Sequence, residues 1–194
     1  MKVKKLMYGV GLNDTDYVIQ SRIDGRYHTC PFYVKWRDML KRCYSEQSLK
    51  TRPSYIGCSV TSEWHSFMNF KSWMETQDWE GKHLDKDLLV RGNKVYDPDT
   101  CTFVTQATNN FTTDRSAARG NLPIGVQLVQ LKTTGLPYRA DVRANGKPMY
   151  LGCFSTPEEA HQAWRVAKWE LAVQLASEQS DPRVAAALIE RYKL

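Results

Sequence analysis

The chain has 194 residues, 42% of them hydrophobic, enough for one ordinary domain or two small ones with packed cores. A net charge of +6 suits a polyanionic partner, nucleic acid first, or simply a soluble basic surface. No apolar run approaches membrane-spanning length, and five scattered cysteines without a Cys-x-x-Cys pair argue against a disulfide framework and a structural zinc site.

From Met1 to Gly9 there are basic residues but no apolar stretch after them, so the segment does not read as a signal peptide. The chain is therefore expected in the cytoplasm, or in the host cytoplasm if a phage encodes it. His28 with Cys30 is the nearest thing to a metal pair, and burial as small hydrophobes explains most of the cysteines better. Phe32 to Tyr44 predicts a helix, because Val34, Trp36, Met39, Leu40 and Cys43 recur at helical spacing. Lys35, Arg37, Lys41 and Arg42 lie between them, available to phosphates or to solvent. Tyr55 to Val60 reads as a short strand or turn, and Ser62 as the N-cap of a helix carrying Trp64, Phe67, Phe70 and Trp73. These aromatics are assigned to the core rather than to a base-stacking platform.

Leu84 to Asp87, then Asn93 to Thr105, then Asn109-Asn110 reads as strand, loop, second strand and helix start. This first module is expected over residues 1–110. A polar segment over 111–120 reads as a linker, and the second module as 121–194.

The second module predicts three strands at Ile124–Val129, Tyr138–Ala144 and Lys147–Phe154. Lys132 to Gly135 and Asn145-Gly146 are the expected turns. Thr156, Pro157 and Glu159 carry the signature of a capping box. The helix that follows places Ala160, Ala163, Trp164, Ala167 and Leu171 on one face. A last helix is expected from Asp181-Pro182, with Val184, Ala187, Leu188 and Tyr192 along it. The fold class expected is α+β: a ββα body with flanking helices, then a three-stranded antiparallel sheet packed on a helix. In the middle strand, period two puts Arg139, Asp141 and Arg143 on the face opposite Tyr138, Ala140 and Val142. With Gln127 and Tyr150 from the neighbouring strands, that face is a readout set for base edges as well as a solvated surface.

Gly125-Val126, Tyr138-Arg139-Ala140, Asn145-Gly146-Lys147, Tyr150-Leu151-Gly152, Phe154, Thr156, Glu158-Glu159-Ala160 and Ala163-Trp164 resemble the ethylene-response-factor (APETALA-type) DNA-binding domain. The resemblance covers about Leu122 to Leu175. It implies groove binding through the sheet, with Gln127, Arg139, Asp141, Arg143 and Tyr150 toward double-stranded DNA. Tyr150 stands where many members carry tryptophan.

The first module resembles phage HNH homing endonucleases over about residues 31 to 115. The matching residues are Leu84-Asp85-Lys86-Asp87, Tyr96-x-Pro98-x-Thr100-Cys101-Thr102-Phe103-Val104-Thr105, Asn109, and the flank Trp36, Met39, Arg42-Cys43-Tyr44, Glu63-Trp64, Phe67 and Phe70. The resemblance implies a ββα-metal site in which Asp85 and Asn109 hold Mg²⁺ or another divalent cation. Lys86 stands at the position of the general base, normally histidine, and Thr100 at that of the asparagine that orients it. Flanking Asp85 and Asp87 favour a protonated Lys86, which suits a phosphate clamp more than a base. His83, which on a strand shares a face with Asp85 and Asp87, is a candidate substitute base or else a surface residue, and solvent could also serve as base beside the metal. Three function classes follow: a metal-dependent DNA endonuclease or nickase, a catalytically inactive DNA-binding regulator on the same fold, or a protein-interaction module with an incidental basic surface.

Overall fold

The computed structural model describes residues 5–113, 121–129, 135–144 and 146–194. The protein is mixed α+β, and the chain divides into two compact units, Met1–Val104 and Thr105–Leu194.

In the first unit, Asp24 and Gly25 both have positive φ (49° and 77°), the backbone that a two-residue hairpin turn requires. They join β1 (Gln20–Ile23) to β2 (Arg26–Thr29) in an antiparallel ribbon. Helix α1 (Pro31–Tyr44) opens on proline, whose missing N–H costs nothing in the first turn, and buries Tyr33, Trp36, Met39, Leu40 and Cys43. Ser45 caps the short α2 (Glu46–Thr51). A two-residue strand, β3 (Ser59–Val60), precedes a 3₁₀ turn over Ser62–His65. The next helix, α3 (Phe67–Glu75), is capped by Ser66, whose hydroxyl accepts from the Asn69 N–H at 3.1 Å. The sequence points to Ser62 as that cap. Ser62 instead opens the 3₁₀ turn, and the chain reaches true helical geometry only after Ser66. Strand β4 (His83–Asp85) is followed by β5 (Val95–Tyr96), which pairs in parallel with β3, and by β6 (Thr102–Val104), which pairs antiparallel with β4.

The core of this unit is aromatic. Trp36, Trp64, Phe67 and Phe70 are fully buried, the Trp36 indole donates to the Trp64 carbonyl at 2.7 Å, and Trp73 stacks on Phe103. Cys43 and Cys101 lie in the same core, where burial pushes their thiols up to about 12, so they stay protonated and pack as apolar groups. All five cysteines are free thiols.

The second unit begins with α4 (Gln106–Thr112), capped by Thr105. It continues through β7 (Val126–Leu128), β8 (Tyr138–Ala144) and β9 (Lys147–Phe154), which form a three-stranded antiparallel sheet in that order. Helix α5 (Pro157–Ser177) starts with the expected capping box and lies on the sheet, with Ala160, Trp164 and Ala167 against Val126, Ala140 and Val142. Helix α6 (Pro182–Tyr192), capped by Asp181, packs on α5. No helix among the described residues is long and apolar enough to cross a membrane.

The sequence closes the first module at about Asn110, whereas α4 belongs with the second unit. The reason is its hydrogen bonding: the Phe111 carbonyl accepts from Lys168 at 2.8 Å and from Tyr192 at 3.2 Å, and the Thr112 carbonyl accepts from Arg191 at 3.2 Å. Of the expected linker, Phe111 and Thr112 end α4, and 114–120 lie outside the described residues. Lys132, Thr133 and Thr134 of one expected turn, and Asn145 of the other, also lie outside them.

Candidate functional site

The sheet face opposite α5 carries the five residues singled out in the sequence. Register sets Gln127 beside Arg139, Arg139 beside Cys153, Asp141 beside Tyr150, and Arg143 beside Pro148. The pairing slips by one residue between Ala140 and Asp141, leaving Leu151 without an opposite number. This bulge lets Leu151 enter the core while Tyr150 stays on the open face.

Arg139 is held in place. Its Nε and Nη2 donate to the two Asp141 carboxylate oxygens at 2.8 and 2.7 Å, the planar two-point geometry that fixes a guanidinium. The Tyr150 ring lies 5.1 Å from the Arg139 guanidinium carbon, and the Tyr150 hydroxyl donates to Cys153 Sγ at 3.4 Å. Tyr150 is 58% exposed despite this packing, so its ring is presented rather than buried. Arg143 is exposed, with a 3.5 Å contact from Nη1 to the Gly146 carbonyl. Two arginines, an amide and an aromatic ring on a narrow sheet form a set that can donate to guanine edges, pair with adenine and meet phosphates.

The second constellation starts on β4. Its partner is β6, with His83 opposite Val104 and Asp85 opposite Thr102. Leu84 is buried, so His83 and Asp85 share the other face. Asp85 Oδ1 accepts the backbone N–H of Asp87 at 2.9 Å and of Leu88 at 2.8 Å, which closes the turn after β4. Burial raises the Asp85 carboxyl above its ordinary range, and the neighbouring Asp87 charge adds to this against those two N–H bonds. Burial works against the charge of Lys86, but Asp87, 3.2 Å from Nζ, more than offsets it and holds the ammonium above its ordinary value. Lys86 is thus a fixed cation beside Tyr55, not a proton acceptor. Burial lowers the His83 imidazole below its ordinary value, with Lys35 and Arg42 adding to it, which favours the neutral form.

Thr100 orients no side chain on β4. Its hydroxyl accepts from Asn93 Nδ2 at 3.0 Å, and Asn93 also reaches the carbonyls of Lys86 and Val95. Asn93 therefore ties the loop between β4 and β6 to the strand turn, a role at which only its polar side chain hints in the sequence. Asn109 lies on α4, in the second compact unit, while Asp85 lies in the first.

No protein family, curated protein or solved structure matches the chain.

Among the described residues, no three His, Cys, Asp or Glu side chains converge as ligands. The donor chemistry still fits a hydrated Mg²⁺, which takes only one or two protein oxygens, and a carboxylate braced at one oxygen by amides can present the other. The cations on α1 are mostly committed elsewhere. Lys35 donates to the Lys82 carbonyl at 2.6 Å, Arg37 pairs with Asp38, and Arg42 packs over Tyr55. Lys41 remains exposed and lines, with Arg42 and Arg52, a cleft of about 260 Å³ between α1 and α2.

Proposed function

We propose that the chain binds double-stranded DNA and reads it through the open face of the β7-β8-β9 sheet. The observation that carries this is Arg139, clamped by Asp141 and overlain by Tyr150, in line with Gln127 and Arg143 on the sheet face opposite α5. A braced guanidinium loses little entropy on meeting a base edge, and each bidentate base contact discriminates by about 1–3 kcal/mol. Binding to a preferred duplex is expected to fall steeply with salt, because phosphates supply much of the affinity. Arg139→Ala with Arg143→Ala is expected to remove the preference for that duplex over a scrambled one. Equilibrium titration of both duplexes over a salt series checks this, and a salt-insensitive, weak association would leave only the protein-interaction reading.

A second reading, a metal-dependent DNA endonuclease or nickase, is favoured by His83 sharing the strand face of Asp85, where burial favours its neutral form. In it, Asp85 would hold Mg²⁺ or a similar ion, which would stabilise the leaving oxygen. His83 would take the proton from the attacking water, and Lys86 would hold a phosphate by charge alone. The first reading without catalysis, a DNA-binding regulator on this fold, is favoured by the turn-closing role of Asp85 Oδ1. A supercoiled-plasmid assay with Mg²⁺ or Mn²⁺ separates them. Nicked or linear product, lost in His83→Ala and in Asp85→Asn, marks a nuclease. Asp85→Asn keeps an acceptor for the turn, so the variant is expected to stay folded. Retarded but intact plasmid marks a binding scaffold.

A further inference from the structure

The β1–β2 ribbon has no part in either constellation, and every residue from Gln20 to Ile23 and from Arg26 to His28 is exposed. Opposite residues of an antiparallel pair share a face. One face carries Arg22 beside Tyr27 and Gln20 beside Thr29; the other carries Ile23 beside Arg26 and Ser21 beside His28. Tyr27 is 70% and Ile23 52% exposed, so neither face is buried by the rest of its unit. The Arg22 guanidinium carbon lies 5.8 Å from the Tyr27 ring centre, and Arg22 Nε donates to the Gly25 carbonyl at 3.3 Å, so the charge is held toward the tip.

A two-stranded hairpin alone is marginal in water, and this one presents an apolar side chain, an aromatic ring and two arginines to solvent. Its strands stand roughly 4.8 Å apart. A ribbon of that width enters a DNA major groove, which is about 12 Å across. Its charge is complementary to phosphate: Arg22 and Arg26 against the single acid Asp24.

Resting on the DNA-binding reading above, we infer that the β1–β2 ribbon is a second DNA-contacting element, with Arg22 and Arg26 on phosphates. It lies in the first compact unit and the reading sheet in the second, so the two contacts come from different units of the chain.

The test uses the full chain on its preferred duplex, with hydroxyl-radical footprinting and a salt series. Arg22→Ala with Arg26→Ala is expected to lower the salt slope by about two and to weaken binding about tenfold or more, with protection lost at some backbone positions. Sequence preference, set by the sheet, is expected to survive. Asp24→Asn, which keeps a residue tolerant of positive φ and removes the one negative charge, is expected to tighten binding. Because these side chains are exposed, unfolding midpoints are expected to stay at the wild-type value. An unchanged slope and footprint in the double arginine variant, with wild-type binding intact, would overturn the ribbon proposal alone. Failure of the wild-type chain to bind any duplex would overturn both proposals.

Discussion

Single residues decide which parts of this chain can change. Gly125 precedes β7 with φ at +82°, and a side chain there would collide with the Trp164 indole on α5. Gly125→Ala is therefore expected to cost more than about 2 kcal/mol, from left-handed strain and from overpacking together. Urea unfolding checks this, and a midpoint equal to wild type would show that α5 can shift away from the sheet. The residues of the open sheet face were legible because strand geometry is strict: with period two, Arg139, Asp141 and Arg143 must share a side once Ala140 and Val142 are buried. The bracing of Arg139 by Asp141 was not legible. Two residues apart on one face, they can pair or splay, and only three-dimensional placement decides. Just after β4, the sequence likewise offered both roles for Lys86. The Asp87 charge, 3.2 Å from its Nζ, outweighs the effect of burial and holds it protonated.

Elements with a strong local signal appear where the sequence puts them. The bounds of β8 and β9 match, and α5 starts on its capping box. The β1–β2 ribbon was missed although Asp24-Gly25 is a strong turn signal, because its strands are short and polar and show no buried alternation. Lys168 was missed for the opposite reason, since a charged residue in an apolar stripe normally reads as a solvent position. Instead its ammonium lies 3.2 Å from the Phe111 ring centre and 4.9 Å from that of Tyr192, and donates to the Phe111 carbonyl, joining α4, α5 and α6. Burial, with Arg191 nearby, pushes Lys168 down to about 8. The unfolded chain therefore binds more protons than the folded one between about pH 8 and pH 10.5, and stability from this group rises with pH across that window. Below about pH 8 both states carry the charge, and the full cost of burying it applies. Wild type is expected to gain stability relative to Lys168→Met between pH 8 and pH 10.5. Urea midpoints across that range check this, and a constant difference would contradict it.

At the scale of the whole molecule, the two compact units carry different kinds of surface. The first has an aromatic core, a loop tied by Asn93 and Asp85, and an exposed ribbon. The second has a sheet braced from one side by α5, with Gln127, Arg139, Asp141, Arg143 and Tyr150 on the other. A net charge of +6 suits the proposed duplex DNA partner. Selection from a randomised duplex library, run in parallel on wild type and on Arg139→Ala with Arg143→Ala, decides whether the sheet reads sequence. A short enriched motif is expected for wild type and is expected to disappear in the variant while weak, salt-sensitive binding persists. The same motif from both proteins, or none from wild type, would contradict reading by the sheet.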